Sequence, residues 1–280
     1  MSIAISQGSL AMRLFAMRLL LTLIILTSLS ADAALAVEKS AAYWYEEGQK
    51  LLENKSYEEA IVSFDRSIGE DHRNWNAWYG KGKALYGLEK YDDGLDLCNQ
   101  VLDSLKDQPG NIRARFLNLD GIFCTAYENK YSVPPTKGDS YCSGDIPKMY
   151  LSALERYDEA LKLDSNLISA WNSKGIALGS LCQMDGSIES FDKAMLLNST
   201  LAEVWNNKGV SLDWMGKHNE SMACYNRAIE LKPDLAVAWM NRARTLSLNL
   251  SLFSLAQQNA SIAIELDPSL ENELTRMTWS

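Results

Sequence analysis

Apolar residues recur along the chain at spacings of three and four, the pattern of amphipathic helices, and this pattern returns every 34 residues. A tryptophan marks the long period and is followed four residues later by glycine or alanine. Such a spacing places both residues on one helix face, where a missing side chain lets another helix approach closely. The pairs are Trp44 with Gly48, Trp78 with Gly82, Trp171 with Gly175, Trp205 with Gly209, and Trp239 with Ala243.

A second predicted helix follows the first after a short turn, and small and aromatic residues alternate on its inward face. In the fifth period this face carries Ser221, Tyr225 and Ala228, at spacings of four and three. We expect each ring to interlock with the glycine position of the next helix. The second period has Gly94 and Cys98 at the first two places. We therefore predict that its second helix packs less fully than the others.

The period breaks between Trp78 and Trp171, which are separated by two periods and 25 further residues. A hidden pair of helices fits there, with Gly121 in the first and Tyr157 in the second. About five extra residues fall near 107–112, and about twenty, rich in proline and glycine, fall within 127–149. We predict a loop over 127–149, either with a binding role or as a surface insertion. The last period needs one extra residue in the turn near 248–252.

These positions resemble the tetratricopeptide repeat family, whose motif places Trp, Leu, Gly and Tyr, then Ala, Phe, Ala and Pro, at these intervals. The resemblance covers residues 41–268. It implies an all-α solenoid of about six helix-turn-helix repeats in a right-handed superhelix, the third with an insertion between its helices. Beyond the repeats, an apolar stripe predicts a short capping helix over 270–279. Within a domain of residues 37–280, we assign the repeats to 41–74, 75–108, 114–167, 168–201, 202–235 and 236–269.

The resemblance also implies that the first helices line a concave groove, which positions one, five and nine beyond the tryptophan would face. Aromatic and amide side chains at such positions suit a peptide or an extended segment of a partner protein. We predict a non-enzymatic scaffold for protein–protein interaction. The alternative that these aromatics only complete the packing within repeats stays open. The predicted groove residues are Tyr45, Tyr79, Lys83, Tyr86, Asn172, Asn206, Asp213, Trp214, Met240 and Arg244.

The first 36 residues read as a leader rather than as part of the fold. Arg13 and Arg18 precede an apolar run over 19–30, and small residues follow at 31–36. The run is shorter than the roughly 20 residues that a membrane-spanning helix needs. We predict a secretory signal and an extracytoplasmic or secreted protein. The alternative is an uncleaved leader that anchors the protein in a membrane.

Export would place the five cysteines in an oxidising compartment, where an odd number leaves at least one unpaired. Cys124 and Cys142 flank much of the predicted loop, and we propose a disulfide between them. Export would also expose the Asn-X-Ser/Thr sequences to glycosylation in a host that performs it. The five candidate acceptors are Asn54, Asn198, Asn219, Asn249 and Asn259.

The formal net charge of −9 argues against binding along a phosphate backbone, so we predict no nucleic-acid partner. The chain has two histidines: His218 takes the place of a packing tyrosine, and His72 lies at a repeat junction. Neither has a Cys or Asp at metal-ligand spacing, so no catalytic, cofactor or metal site is predicted. A hydrolytic or metal site on the inserted loop is disfavoured because the loop contains no histidine. A structural role in a cell-envelope assembly remains the main alternative, and the sequence does not indicate the oligomeric state.

Overall fold

The computed structural model describes residues 40–131, 148–248 and 251–272, and these residues form only helices and turns. The all-α fold class is therefore confirmed. The predicted leader, Cys142, Asn249 and most of the predicted capping helix lie outside the described residues. A 3-10 turn, Pro268–Leu270, follows the last helix. The helices are α1 (Ala41–Glu53), α2 (Tyr57–Glu70), α3 (Trp75–Gly87), α4 (Tyr91–Ser104), α5 (Gly110–Tyr131), α6 (Lys148–Leu163), α7 (Ile168–Ser180), α8 (Met184–Leu197), α9 (Ala202–Trp214), α10 (His218–Leu231), α11 (Ala236–Leu248) and α12 (Phe253–Leu266).

The chain divides into two compact units, Met1–Lys81 and Gly82–Ser280, and the division falls within α3. In the described part of the first unit, α1 packs against α2. The fully buried ring of Phe64 on α2 lies between Gly48 of α1 and Gly80 of α3. A Cβ atom on Gly48 would come within 2.6 Å of that ring, and one on Gly80 within 2.5 Å. Glycine at both positions is therefore what admits the ring.

The second unit stacks helix pairs in chain order. The first and second helices of a pair contact each other, as in α7 with α8 and α9 with α10. Each second helix also contacts the first helix of the following pair, and neighbouring first helices touch, as α7 with α9 and α9 with α11. Because no pair buries its apolar face alone, each pair is covered by its neighbours.

Rings and glycines interlock in the second unit as predicted, but each glycine belongs to the first helix of the same repeat and not to the next helix. A Cβ atom on Gly121, Gly175 or Gly209 would lie 2.6 Å from the ring of Tyr157, Phe191 or Tyr225, respectively. In the last repeat both partners change, since Ala243 replaces the glycine and Ala260 replaces the ring. Ring and glycine thus change together from repeat to repeat.

The prediction that the second helix of the second repeat packs less fully is wrong. Cys98 of α4 is fully buried. The space above Gly94 is occupied by Phe123 of α5, whose ring lies 2.2 Å from the place of an added Cβ atom. Leu119, also from α5, similarly fills the space above Gly82. The neighbouring helix therefore supplies the bulk that α4 lacks.

The recurring tryptophans fasten the junctions between repeats. In four of the five, the indole N–H donates a hydrogen bond to the backbone carbonyl six residues earlier, in the turn that precedes its helix. This position therefore needs a large apolar side chain with one donor, which tryptophan provides. The bonds run from Trp78 to His72 (3.1 Å), from Trp171 to Ser165 (2.9 Å), from Trp205 to Ser199 (2.9 Å) and from Trp239 to Pro233 (2.9 Å).

The third repeat contains more helix than predicted. Its first helix, α5, has 22 residues and ends at Tyr131, whereas α7, α9 and α11 have 13 each. Residues 127–131 and 148–149, predicted as loop, are therefore helical, and residues 132–147 lie outside the described residues. No proline or glycine interrupts the sequence between Gly121 and Pro134, so nothing stops α5 earlier. The hydroxyl of Tyr150 on α6 donates a hydrogen bond to Asn129 Oδ1 on this extension.

The proposed disulfide between Cys124 and Cys142 requires correction. Cys124 is a free, buried cysteine that packs with Tyr150, Ala153 and Tyr157 between α5 and α6. Burial raises the pKa of its thiol to about 12, so the thiol stays protonated and unreactive. Cys182, in the turn after α7, is the described cysteine that forms a disulfide, while Cys98 and Cys224 are free.

The described glycosylation candidates differ in accessibility. Asn54 and Asn219 are exposed. Asn198 is half-buried, and its side-chain oxygen accepts hydrogen bonds from the backbone N–H and hydroxyl of Thr200. Asn259 is 2% exposed, and its amide donates to the Leu255 carbonyl at 2.6 Å. The prediction of glycosylation at Asn259 therefore does not fit the folded chain.

Candidate functional site: the first helices of the last three repeats

The predicted groove residues fall in both units, so they are described separately. In the first unit, Tyr45 is half-buried with its ring 6.3 Å from that of Phe64, and Tyr79 is also half-buried. In the second unit, Tyr86 is exposed but contacts Tyr91, at 5.8 Å between ring centroids, and Phe123, at 6.2 Å. Lys83 is exposed. The remaining six predicted residues lie on α7, α9 and α11.

Those three helices present one surface turned away from their tryptophans and glycines. A helix advances by about 100° per residue, so positions −2, +1, +2, +5 and +9 from the tryptophan fall about 100–200° around the axis. The tryptophan and the small residue at +4 fall at about 0° and 40°, on the side that packs against the second helix. We call the residues at positions −2, +1, +2, +5 and +9 of α7, α9 and α11 the first-helix surface.

Four asparagines form a hydrogen-bonded ladder along this surface. Asn207 Nδ2 donates to Asn172 Oδ1 at 3.1 Å, and Asn241 Nδ2 donates to Asn206 Oδ1 at 3.0 Å. Asn206 Nδ2 in turn donates to Asn207 Oδ1 at 3.3 Å, which joins the two bonds into one chain across three helices. Asn206 is buried, whereas the other three are half-buried. An amide side chain can make more bonds than these, so the half-buried members keep capacity for a ligand.

Asp213, at the end of α9, ties the last two repeats together. Its Oδ1 lies 2.6 Å from His218 Nδ1 on α10, and its Oδ2 accepts a hydrogen bond from the Thr245 hydroxyl on α11 at 2.7 Å. Arg244, on α11, donates to Asn241 Oδ1 at 3.2 Å and so continues the asparagine ladder. The sequence assigned His218 only to packing, and the structure adds this polar contact.

Exposed apolar side chains flank the ladder on the same surface. Trp214 is 67% exposed at the end of α9, and Leu248 is 51% exposed at the equivalent position of α11. Ile176 and Val237 are 40% and 42% exposed. Met240, in contrast, is 2% exposed and packs with Ala260 and Ala263 of α12, so its assignment to the groove is wrong. Because Ala260 replaces an aromatic ring, the long Met240 side chain fills that space instead.

A recurring ion pair holds successive repeats together on the other side of the first helices. Lys174 Nζ lies 2.6 Å from Asp158, and Lys208 Nζ lies 2.6 Å from Asp192. In both cases the lysine is three residues beyond the tryptophan, and the aspartate is sixteen residues before the lysine. Lys81 and Asp65 repeat the arrangement in the first unit, at 2.7 Å.

The last repeat lacks the acidic member of this pair. Arg242 holds the lysine position, and Asn226 stands sixteen residues earlier. The guanidinium lies over the Trp239 ring at 5.2 Å, and its buried Nε atom has no hydrogen-bond partner among the described residues. Burial lowers the pKa of Arg242. The missing carboxylate therefore leaves a partly buried cation without an anionic partner at this position.

Restoring the carboxylate should stabilise the last repeat. We expect Asn226→Asp to raise the free energy of unfolding by about 0.5–1 kcal/mol, the range for a well-placed exposed ion pair. Thermal unfolding in low salt measures the gain, which should shrink in about 1 M salt because charges are screened. Asp192→Asn is the matched reciprocal variant, since it removes the equivalent carboxylate from Lys208, and it should lower stability. If Asn226→Asp leaves Tm unchanged or lowers it, position 226 is not the place of the missing carboxylate partner of Arg242.

The described residues contain no group of three or more His, Cys, Asp or Glu side chains that could hold a metal ion. None of the described helices is long and apolar enough to cross a membrane.

Two family models match the chain. One, described as tetratricopeptide repeat, matches residues 202–235, which hold α9 and α10. The other, described as anaphase-promoting complex, cyclosome, subunit 3, matches residues 14–101. Among curated proteins, the chain is similar to the TPR repeat-containing protein MJ1428 of Methanocaldococcus jannaschii, with 30% identity over 146 residues. That match covers 49% of this chain and 24% of the relative, so the chain matches about a quarter of that protein's length.

Solved structures share the fold at low sequence identity. TTC0263, a thermophilic TPR protein of Thermus thermophilus, has a TM-score of 0.62 at 17% identity, with 74% of this chain and all of that chain covered. The APC/C hetero-tetramer Cut9-Hcn1 gives a TM-score of 0.65 at 17% identity, over 90% of this chain and 45% of that one. The pilF protein of Pseudomonas aeruginosa gives a TM-score of 0.58 at 18% identity, over 84% and 96% of the two chains.

Proposed function

Because the chain is a tetratricopeptide-repeat protein, we propose that it is a scaffold that binds an extended segment of a partner protein along the first-helix surface. The fold is typical of scaffolds rather than enzymes. The observation that carries the proposal is the ladder of Asn172, Asn207, Asn206 and Asn241, which crosses three repeats.

The ladder suits an extended backbone because both binding partners carry amide groups. An extended peptide offers N–H and C=O groups along its length, and an asparagine side chain can both donate to and accept from such groups. The ladder's internal hydrogen bonds hold its amides in place before a ligand arrives. Less side-chain entropy is therefore lost on binding. Trp214, beside the ladder, adds a large exposed contact area at little entropic cost.

Selection from a displayed library of random twelve-residue peptides tests the proposal on the full chain. We expect the strongest synthetic peptide to bind wild-type protein and to bind Asn207→Ala at least about tenfold more weakly, because Asn207 bonds both Asn172 and Asn206. Asn226→Ala is the matched control, since Asn226 is an exposed asparagine on α10, away from the ladder. Recovery of no binding peptide, or equal affinity for wild type and Asn207→Ala, would reject the proposal.

We also propose that the protein acts outside the cytoplasm. The disulfide at Cys182 supports this location, because structural disulfides persist mainly in oxidising compartments. The leader predicted from the sequence over 1–36 supports it as well. Intact mass of the protein recovered from a native host checks both features. A fully reduced chain that retains its leader and stays in the cytoplasmic fraction would contradict the proposal.

A further inference from the structure

We infer that the segment bound on the first-helix surface is uncharged and presents apolar side chains, so that Trp214 and its apolar neighbours, rather than ion pairs, select the partner. The inference rests on the proposed function and adds the chemistry of the ligand. Two independent features of the surface support it: a row of exposed apolar residues and the internal compensation of its charges.

The exposed apolar residues share one side of their helices with Glu203 and Arg244, and we call them the apolar row. Ile176 lies at position +5 from its tryptophan, Val237 at −2, and Trp214 and Leu248 at +9. At about 100° per residue these positions fall about 140–180° around their helices, within one narrow stripe. Because α7, α9 and α11 are neighbours, the stripes adjoin. Trp214 and Leu248 stand at the same level of neighbouring helices, Ile176 lies about 6 Å below that level, and Val237 lies about 16 Å below it. Neighbouring exposed apolar side chains mark an interaction site more often than single exposed residues do.

The charged side chains near this row are compensated within the protein. Glu203, at position −2 of α9, lies 2.8 Å from Lys232, whose hydrogen bond lowers the pKa of the Glu203 carboxyl. Asp213 is bonded to His218 and Thr245. Arg244 carries the opposite charge to Asp213 and is bonded to the asparagine ladder through Asn241. Glu203 and Arg244 lie on the first-helix surface, Asp213 lies beside it, and Lys232 reaches Glu203 from the end of α10. The formal charges of these four groups sum to zero.

The other charged residues of the three helices point elsewhere. Lys174, Lys208 and Arg242 lie at position +3, about 300° around the helix, outside the first-helix surface. Lys174 and Lys208 are paired with aspartates of the preceding repeat, and Arg242 lies over the Trp239 ring. A charged partner residue would compete with these intramolecular partners and would lose hydration on burial. An uncharged apolar side chain has no such cost and gains contact with the row.

The peptide selection distinguishes this chemistry directly. We expect selection at about 50 mM and at about 500 mM NaCl to yield the same apolar, near-neutral sequences, and the dissociation constant to change less than about threefold, because contacts without net charge are weakly screened. Trp214→Ala should weaken binding at least about tenfold, and Trp214→Phe should recover most of the loss. Leu196→Ala is the matched control, because Leu196 is 83% exposed but lies on α8, a second helix.

The outcomes separate this inference from the proposed function. Selected peptides with a charged consensus, together with at least about tenfold weaker binding at high salt, would overturn the inference. So would a peptide that binds Trp214→Ala as tightly as wild type. In both cases a loss of binding in Asn207→Ala would leave the proposed function standing. A failure to select peptides, or insensitivity to Asn207→Ala, would instead reject the proposed function itself.

Discussion

Gly209→Ala is expected to lower the free energy of unfolding by about 2 kcal/mol, although alanine is normally the better helix residue by about 1 kcal/mol. The added Cβ atom would lie 2.6 Å from Cε1 and 2.9 Å from Cδ1 of Tyr225. That ring is 1% exposed and cannot move away without displacing its neighbours. Steric overlap therefore outweighs the gain in helix propensity. Urea unfolding followed by circular dichroism measures the change.

Gly69→Ala supplies the matched control for this prediction. Gly69 lies in α2, and an added Cβ atom there meets nothing within 4 Å. Only the helix-propensity gain remains, so we expect Gly69→Ala to leave stability unchanged or raise it by up to about 1 kcal/mol. Destabilisation of similar size by both variants would show that backbone effects, rather than contact with the Tyr225 ring, determine the result.

The background of Tyr225→Ala tests the contact itself. Removal of the ring is costly, by about 3–5 kcal/mol for a fully buried aromatic residue, but it vacates the space that Cβ of residue 209 would need. Gly209→Ala should then be neutral or stabilising, as the natural pair of Ala243 and Ala260 suggests. An equal loss from Gly209→Ala in both backgrounds would mean that the two positions are energetically independent.

The sequence predicted the helix pairs because one spacing recurs with enough residues to exclude chance. It also predicted the contact of rings with glycines, since both partners repeat together. It does not predict the burial of Met240, because the repeat position does not show that this side chain fills the space left by Ala260. It also failed at Gly94, because the compensating ring of Phe123 comes from a helix in the following repeat. Spacing along a helix defines a face, but it does not reveal the side chains that a neighbouring helix contributes.

Half of the asparagine ladder was accessible from sequence. Asn172 and Asn206 are predicted groove residues, whereas Asn207 and Asn241 stand at position +2, outside the positions that the resemblance implies for the groove. Their recurrence 34 residues apart was the available signal. The pairing of Asp213 with His218 and Thr245 was not accessible, because it joins three helices whose relative rotation the sequence pattern does not specify. For the same reason, the sequence does not show that the side chain of Cys124 faces α6, and the disulfide predicted for it from its distance along the chain to Cys142 is wrong.

Arg156→Met should be among the most destabilising single changes, by about 3 kcal/mol at pH 8, because it leaves a buried carboxylate without a counter-ion. Asp120 of α5 has a side chain only 4% exposed, and its Oδ2 lies 2.7 Å from Arg156 Nε of α6. Burial raises the pKa of Asp120 despite the opposing attraction of Arg156. The ion pair therefore only partly offsets the cost of burying the charge.

The pair should respond asymmetrically to substitution. Asp120→Asn removes the buried charge and leaves Arg156, which is 39% exposed, in contact with water and 3.8 Å from Glu159. We expect that variant to change stability by less than about 1 kcal/mol, and Asp120→Asn with Arg156→Met to recover most of the loss. Arg113→Met is the matched control, since Arg113 pairs with Glu159, whose side chain is 40% exposed. It should cost less than about 1 kcal/mol.

The pH dependence of Arg156→Met follows from the direction in which folding changes the pKa of Asp120. A carboxyl whose pKa rises on folding favours the folded state at pH values below its unfolded-state pKa, and this contribution is lost as the pH rises through the folded-state pKa. Without Arg156, the Asp120 pKa should rise further, because burial raises it and Arg156 lowers it. The deficit of Arg156→Met relative to wild type should therefore shrink as the pH falls from 8 towards 5. A deficit that is constant over this range, or as large in Arg113→Met, would show that Asp120 is not the buried charge responsible.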